Sequence, residues 1–316
     1  MGEQMAKVVI IGGAGHVGTY LVPRLVEAGH QVTNISRGVA RPYAPHAAWE
    51  RVEQVVMDRT AEEAAGRFGA RIAELAADVV IDMICFTPAS SAMLAGALAG
   101  KVSQFIHIGT IWVHGASVTQ PSREEDAREP FGDYGVWKSQ IEEDLLARAR
   151  RGELPATVIR PGHIVGPGWA PLNPAGHFNP QIFRDMREGK PLVLPNFGLE
   201  TVHHVHADDV AQAVMGALSH WSGAVGEAFN AVSPAALTLR GYAEAMYRWF
   251  GHEPRLTFAP FDDWKRAVAA EDAQATWEHI ARSPCHSIDK GRRLLGYAPR
   301  YTSLQAVQES VGRVLA

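Results

Sequence analysis

The chain has 316 residues and a mass of 34.3 kDa, which is enough for one large domain or two smaller ones. Its 30 basic and 34 acidic side chains leave a formal net charge of −4, a balance poorly suited to nucleic acid or an anionic membrane. Hydrophobic residues make up 47% and charged residues 20%, which excludes a mainly disordered chain.

Cysteine content and hydropathy bear on the compartment. Two cysteines, Cys85 and Cys285, are too few for a disulfide framework or a cysteine-based zinc site. No stretch approaches the roughly 18 apolar residues of a membrane-spanning helix, and the first apolar run, 8–11, is cut at once by glycines, unlike a signal peptide. We therefore expect a cytoplasmic protein with neither a membrane nor a nucleic acid as partner.

The first half of the chain alternates short β-branched runs with longer helical patterns. This alternation is typical of parallel βαβ units and predicts an α/β fold with a Rossmann-type, doubly wound parallel sheet. Strands are predicted at 7–11, 31–35, 52–57, 78–84, 104–108 and 156–160, and helices at 16–28, 61–75, 90–98 and 134–150.

The second half of the chain has a different character. Pro, Gly and Asn are frequent in 166–200. A strand-like run at 202–206, a helical run at 208–218 and a further strand at 227–232 then suggest a return to the sheet. From Leu237 onward the pattern is mostly helical.

These changes predict two domains, the second discontinuous in sequence. The dinucleotide-binding domain comprises 1–165 together with about 201–232. A smaller, mostly helical C-terminal substrate lobe comprises 166–200 and 233–316. We expect this lobe to rest over the carboxyl edge of the sheet, because ligands bind there in open α/β folds.

A glycine-rich turn joins the first predicted strand to the first helix. The run Gly12–Gly18, GGAGHVG, satisfies GxGxxG in the strand–turn–helix context that the motif needs. The glycines let the backbone approach a pyrophosphate, and the helix N-terminus supplies N–H donors and partial positive charge. The pattern predicts a dinucleotide site with cofactor contacts at Gly12, Gly15, His16, Val17 and Gly18.

The end of the second strand indicates which dinucleotide is bound. A cofactor without a 2′-phosphate is usually held there by an acid, but this chain has Ser36 and Arg37. A hydroxyl and a guanidinium suit a 2′-phosphate, so we expect NADP, with NAD as the alternative. Asp58 and Arg59, after the third strand, are placed either to meet the adenine or to form a surface ion pair.

Tyr134 and Lys138 form a YxxxK spacing at the head of a predicted helix. Positions i and i+4 share one helix face, and an ammonium beside a phenol lowers the phenol pKa. Such a tyrosine can exchange a proton with a substrate oxygen while a hydride moves at a nicotinamide. The alternative is an ordinary pair on a helix surface.

Taken together, these motifs resemble the extended short-chain dehydrogenase/reductase family, which includes sugar-nucleotide epimerases and dehydratases. The segment 109–115 is similar to the family's SSxxVYG, 160–168 to RPxxVYGPG, 205–211 to VHVDDVA and 294–299 to LGYxP. The turn and the YxxxK pair stand at the expected distances, so the resemblance covers nearly the whole chain.

The resemblance implies roles for individual residues. Thr110 stands where the catalytic Ser or Thr binds the substrate oxygen, Tyr134 is the general acid/base, and Lys138 lowers its pKa and holds the cofactor ribose. The family's nicotinamide contacts fall on a short segment after the sixth strand and on the loop after the fourth. In this chain they are Pro161, Gly162, His163 and Cys85.

Departures from the family pattern concern the substrate. No acid pair follows Thr110, which argues against sugar dehydration. Arg282 is a possible phosphate contact, although the family's arginine before VHVDD is absent here, so a nucleotide-sugar substrate is not favoured. The residues expected to border the substrate are Phe86, Trp112, His114 and His163.

The cluster of His203, His204 and His206 with Asp208 and Asp209 invites a metal-site interpretation. On a strand, however, residue 203 points away from 204 and 206. Acids at a helix start are also favoured by capping and by the helix dipole. We therefore expect no metal.

The resemblance also implies a homodimer built on a four-helix interface. The helices concerned are 90–98 and 134–150, and Ile141, Leu145 and Leu146 form an apolar stripe on the second. This stripe lies beside the catalytic face of its helix.

The expected function is that of an NADP(H)-dependent oxidoreductase. It moves a hydride to or from a carbonyl or secondary alcohol of a small molecule, with a sugar or polyol as the best estimate of the substrate. The first alternative is a sugar or nucleotide-sugar epimerase that retains NAD(P). A cofactor-sensing or RNA-associated relative without catalysis is the third possibility.

Overall fold

The fold is built on one parallel sheet. A computed structural model describes residues 5–316. In chain order the strands are β1 Lys7–Ile11, β2 Gln31–Ser36, β3 Glu53–Val56, β4 Val79–Asp82, β5 Gln104–Ile108, β6 Ala156–Pro161, β7 His163–Val165, β8 Leu192–Pro195, β9 Thr201–Val202, β10 His204–His206, β11 Ala228–Ala231, β12 Leu237–Thr238 and β13 Leu256–Ala259. Seven of them form a sheet in the order β11-β6-β5-β4-β1-β2-β3, and all neighbours are parallel. The predicted doubly wound sheet is confirmed.

Helices cover both faces of this sheet and continue through the C-terminal part. They are α1 His16–Glu27, α2 Arg59–Ala64, α3 Phe68–Glu74, α4 Pro88–Leu98, α5 Gly132–Arg150, α6 Gln181–Arg187, α7 Ala207–Ser219, α8 Trp221–Ala224, α9 Leu239–Trp249, α10 Phe261–Trp264, α11 Ala270–Arg282, α12 Asp289–Leu295 and α13 Ser303–Val314. Short 3-10 helices occupy Ala47–Arg51 and Ile111–His114.

The central strand β1 explains why both faces must be covered. Val8 and Ile10 point into a core shared with α1 and α7, whereas Val9 and Ile11 point into a second core with α3, α4 and α5. Side chains alternate along a strand, so a strand that is apolar at every position must be buried on both sides.

A third hydrophobic core lies in the C-terminal half. It is formed by buried side chains of α6, α9 and α13 with β8, among them Phe183, Tyr242 and Val307. We retain the two-domain division as a proposal, and this separate core supports it.

Two predicted elements differ from those observed. The single helix predicted over 61–75 is divided into α2 and α3, because Gly66 between them has a φ of +66°. The run 202–206 does not return to the main sheet: β9 pairs with β12 and β10 pairs with β7. The edge beside β6 is instead taken by β11, with Phe229 opposite Ile159.

The apolar stripe predicted for a dimer interface faces inward. Ile141 and Leu145 on α5 are buried in the core against the sheet. The exposed side of α4 and α5 carries Met93 and Trp137 instead. The stripe prediction was therefore wrong for Ile141 and Leu145, which stabilise the subunit itself, whereas Leu146 is half-buried; the homodimer stays a proposal.

The parallel arrangement brings several loops to one edge. β1, β4, β5 and β6 all end at the same side of the sheet, so the turns that follow them lie together. The strand order also reverses beside β1, which creates the crevice where open α/β sheets bind ligands.

Candidate active site

A groove runs along the carboxyl edge of the sheet. It consists of two adjoining cavities of about 410 Å³ and about 300 Å³, which share Gly12, Gly15, Ile84 and Phe86. The predicted residues that line the first cavity only are Ser36, Arg37, Asp58 and Arg59. Those that line the second only are His16, Val17, Gly18, Thr110, Tyr134, Lys138, Pro161 and Gly162.

The glycine turn is packed too tightly for any side chain at its centre. A Cβ on Gly18 would lie 1.8 Å from the Gly13 carbonyl oxygen, and Gly12 has a φ of +90°. At Gly15 the nearest atom would be 3.6 Å away, so this glycine leaves open space beside the N-terminus of α1. The turn is braced by Asn34, whose Oδ1 accepts a hydrogen bond of 2.9 Å from Gly13 N.

Asn34 was missed by the sequence analysis. It lies on β2, where a polar residue in an otherwise apolar strand is a weak signal. Its Nδ2 donates to Gln54 Oε1 on β3 over 2.8 Å. Asn34 thereby links the glycine turn to two strands.

The wider cavity begins at the end of β2. Ser36 and the exposed Arg37 line it, and the Ser36 Oγ accepts from Gly38 N over 3.1 Å. Asp58 lines the same cavity and caps α2 by accepting from Ala61 N. Arg37 therefore stands at the cavity with its guanidinium accessible to solvent.

Arg59 forms ion pairs below the cavity. Its guanidinium donates to Asp82 over 2.7 Å and to Glu63 over 2.6 Å, and its side chain is largely buried. Of the two interpretations of Asp58 and Arg59, the ion pair applies to Arg59, with Asp82 and Glu63 rather than Asp58 as its partners. Arg59 therefore lines the first cavity while Asp82 and Glu63 neutralise its charge.

Thr110, Tyr134 and Lys138 converge in the second cavity. Thr110 follows β5 directly, and its Oγ1 accepts from Trp112 N over 3.2 Å. Tyr134, in the first turn of α5, keeps 38% of its surface exposed. Lys138, one helical turn later, is 2% exposed, and its Nζ donates to the Ile108 carbonyl over 2.8 Å.

The pKa of the tyrosine differs from the sequence expectation. Burial raises the pKa of Tyr134, and the neighbouring Thr110 hydroxyl acts in the opposite direction. The Lys138 Nζ donates to the Ile108 carbonyl and lies 5.9 Å from the phenol ring centroid. Burial instead lowers the pKa of Lys138 itself to about 8.

His107 is a further neighbour that the sequence analysis missed. It lies inside β5, fully buried, with its Nε2 3.5 Å from Lys138 Nζ. Burial holds the pKa of His107 well below its usual value, and the Lys138 charge lowers it further. A histidine in an apolar strand carries no sequence signal that would distinguish this position.

The residues predicted at the nicotinamide end separate into two groups. Pro161 and Gly162 line the cavity. The Cys85 side chain was expected there but is fully buried with its Sγ directed to the Thr87 carbonyl. Its neighbours Ile84 and Phe86 line the groove in its place, because side chains alternate along an extended segment.

His114 also points away from the groove. It is buried, and its Nε2 accepts from Arg160 over 3.0 Å, while Arg160 donates to Glu142 over 2.8 Å. Burial lowers the pKa of His114 to about 4, with a further contribution from Arg160. Its expected contact with a substrate in the groove is therefore wrong: the 3-10 helix after Thr110 turns this side chain toward a buried ion pair.

Trp112 and His163 lie behind Tyr134. The Trp112 ring centroid is 5.7 Å from that of Tyr134 and 6.3 Å from that of His163. The Arg282 guanidinium stacks on Trp112 at 3.7 Å. Neither Trp112 nor His163 lines a cavity of the groove, where both were expected, and both belong to this ring arrangement instead.

The histidines before α7 are engaged in structural hydrogen bonds. His203 and His204 donate through Nε2 to the carbonyls of Ser233 and Leu172. The His206 Nδ1 accepts from Asp208 N at the start of α7. Among residues 5–316, no group of three or more His, Cys, Asp or Glu side chains is arranged to hold a metal ion.

Over the same range of residues, no helix has the length and hydropathy needed to cross a membrane.

The sheet, the glycine turn and the groove define a class. This is a Rossmann-type α/β protein with its crevice at the point where the strand order reverses. Comparison with known proteins gives the family. The model of the NAD dependent epimerase/dehydratase family matches residues 8–231, so the chain belongs to that family, for which NAD(P) is the typical cofactor.

Three relatives illustrate the range of this family. The chain is 30% identical over 218 residues to 2′-dehydrokanamycin reductase of Streptomyces kanamyceticus, a match covering 67% of this chain and 58% of that protein. It is 27% identical to the chloroplast stem-loop binding protein of 41 kDa b of Arabidopsis thaliana, over 96% of this chain and 78% of that one. The structure of Thermotoga maritima UDP-glucose 4-epimerase with UDP-glucose aligns with a TM-score of 0.73 at 20% identity, covering 98% of each chain.

Proposed function

We propose that this protein transfers a hydride between NADP(H) and a carbonyl or secondary alcohol of a sugar or sugar-like molecule. The observation that carries this proposal is the single groove with Arg37 at one end and Thr110, Tyr134 and Lys138 at the other. A groove shared by a cation and an acid/base group suits a long, phosphorylated cofactor with its reactive end beside Tyr134.

The residues of the groove fit such a cofactor. Open space above Gly15, at the N-terminus of α1, suits a pyrophosphate, because backbone N–H groups there point outward. Arg37 and Ser36 suit a 2′-phosphate, and no acid stands at the end of β2 to repel it. Bound NADP(H) would supply the hydride or accept it.

Tyr134 would move the proton. The raised pKa keeps its phenol protonated at neutral pH, so it can donate to a carbonyl oxygen as that oxygen gains charge. The Thr110 hydroxyl beside it would hold the same oxygen by a hydrogen bond. Because Tyr134 is partly exposed, its proton can be replaced from solvent. These features favour the reductive direction, in keeping with the name of the Streptomyces reductase.

Two other functions are separable by experiment. An epimerase would return its substrate with no net use of cofactor. A non-catalytic RNA-binding role is favoured by one observation, the likeness to the chloroplast stem-loop binding protein over 96% of the chain. The set of Thr110, Tyr134 and Lys138 within one cavity and the net charge of −4 favour catalysis over that role.

The test is net NADPH oxidation with a panel of keto-sugars and dehydro-glycosides. We expect consumption of NADPH that depends on one class of carbonyl substrate. Interconversion of epimers without net oxidation would support the epimerase. Binding of stem-loop RNA together with no turnover on the whole panel would contradict hydride transfer.

A further inference from the structure

A set of rings continues the site beyond Tyr134. Trp112 lies between Tyr134 at 5.7 Å and His279 at 5.3 Å, measured between ring centroids. His279 in turn lies 4.6 Å from His163 and 5.5 Å from Phe178. We call these five residues the ring cluster. Its outer members, Tyr134 and Phe178, are 38% and 46% exposed, so a ligand can reach these two rings from solvent, while His279 is buried between them.

The histidines of the ring cluster are uncharged at neutral pH. Burial lowers the pKa of His279 to about 4 and holds that of His163 well below its usual value. The His279 Nδ1 donates to the Ala275 carbonyl over 2.6 Å. The His163 Nε2 is buried with no hydrogen-bond partner. A neutral imidazole offers one donor and one acceptor, which suits hydroxyl groups rather than an anion.

The cation beside the ring cluster is enclosed. Arg282 is sandwiched between Trp112 at 3.7 Å and Phe131 at 3.9 Å and is 2% exposed. Its two terminal nitrogens donate to the carbonyls of Glu278, over 2.7 Å, and Phe131, over 2.6 Å. Burial lowers the pKa of Arg282 to about 10. The two terminal nitrogens are thus bonded to the backbone and the Nε is buried without a hydrogen-bond partner, so no N–H pair of Arg282 faces solvent to grip a phosphate.

A second cation near the ring cluster is equally unavailable. The Lys138 Nζ is 5.9 Å from the Tyr134 ring centroid, and the residue is 2% exposed and donates to the Ile108 carbonyl. A diphosphate placed on the ring cluster would therefore lose water without gaining an accessible cation, which is costly. Ring faces instead suit the C–H face of a sugar.

We infer that the ring cluster binds an unphosphorylated carbohydrate ring, such as a glycoside or polyol, and not the diphosphate of a nucleotide sugar. This inference rests on the proposed function and names its substrate class. It distinguishes the chain from the Thermotoga epimerase, whose structure contains UDP-glucose.

Calorimetry on the full-length protein saturated with NADP⁺ tests this inference. The probes are methyl β-glucoside and kanamycin, which carry no phosphate, and UDP and UDP-glucose, which do. We expect at least one unphosphorylated probe to bind more tightly than both nucleotides. Tighter binding of UDP or UDP-glucose, or binding of none of the four, would overturn the inference.

Two variants locate the binding. Phe178→Ala should weaken binding of the unphosphorylated probe about tenfold, because the sugar loses its apolar contact with one face of the ring. The affinity for NADP⁺ should not change. Trp249→Ala, which removes a ring of similar exposure at the far end of α9, should change neither. Equal affinities of the Phe178→Ala variant and the wild type for the probe would overturn the assignment to the ring cluster.

The outcome is separable from that of the proposed function. Tyr134-dependent reduction of a nucleotide keto-sugar would retain hydride transfer and overturn the substrate class. Binding of a glycoside on the ring cluster without any NADPH turnover would do the reverse.

Discussion

Lys138 is a charged side chain in an almost completely buried position. Its ammonium is held by one carbonyl, that of Ile108, and lies beside the uncharged His107. Burial disfavours the charged form, which lowers the lysine pKa to about 8. A lysine in this condition can change its charge over a range where most lysines remain protonated.

This position predicts a pH dependence. Burial raises the pKa of Tyr134 above its ordinary value, so loss of kcat/KM for reduction with a midpoint near pH 8 should report Lys138, whose charge is present below that pH and lost above it. A pH profile from 6 to 10 is the measurement. The Lys138→Ala variant should be slower throughout and lack the midpoint. Retention of that midpoint in the variant would assign it to another group.

Arg37 predicts the choice of cofactor. Arg37→Ala should weaken NADPH binding by about 1.5–3 kcal/mol, the value of a hydrogen bond to a charged group, and leave NADH nearly unchanged. Dissociation constants for both cofactors, measured for wild type and variant, provide the check. Tighter binding of NADH than NADPH by the wild type would contradict the preference for NADP(H).

The sequence predicted correctly which side chains approach the groove where a motif fixes the backbone. Elsewhere it did not. Thr110, Tyr134 and Lys138 were predictable because their spacing places them on one edge and one helix face. The inward turn of His114 and Cys85 was not, since it depends on how each loop leaves its strand. Nor was the carbonyl that binds Lys138.

At the scale of elements, the glycine turn and α1 act as one unit. The first turn of α1 can approach β1 only because Gly18 has no side chain beside the Gly13 carbonyl. The sequence predicted approximately where strands and helices begin and end, but not which strands pair with one another. β10 pairs with β7 and not with the main sheet, whose edge beside β6 is occupied by β11.

A matched pair of glycine variants tests this unit. Gly18→Ala would put a Cβ 1.8 Å from a backbone oxygen, so the helix must shift, and we expect a lower Tm and loss of cofactor binding. In Gly15→Ala the nearest atom to the added Cβ is 3.6 Å away, so this variant should keep the wild-type Tm while its cofactor binding weakens. Thermal unfolding with and without NADPH measures both. An unchanged Tm in Gly18→Ala would contradict the packing argument.

At the scale of the whole molecule, three hydrophobic cores serve different purposes. Two lie on the faces of the sheet and hold the groove, and the third supports the C-terminal helices that carry His279 and Arg282 to the ring cluster. The fold class was predictable from alternation of elements. The sequence placed Tyr134, Trp112 and His163 near the substrate, but not His279 and Phe178, because His279 is more than 100 residues from both Trp112 and Phe178 in the chain.

The exposed faces of α4 and α5 predict a homodimer. Met93 and Trp137 are exposed apolar side chains on neighbouring helices, a suitable centre for a four-helix interface. Solution scattering at micromolar concentration should give twice 34.3 kDa for the wild type and a single subunit for Trp137→Glu. A monomeric wild type would contradict the proposal.

The most direct measurement of the central claim is the turnover of Tyr134→Phe. The ring remains, so packing against Trp112 and the affinity for NADPH should change little. Only the hydroxyl that donates the proton is lost, and general acid–base catalysis typically contributes about 10²–10⁴-fold. We predict a fall of that order in kcat on the substrate that the wild type reduces. Turnover close to that of the wild type would contradict hydride transfer dependent on this tyrosine.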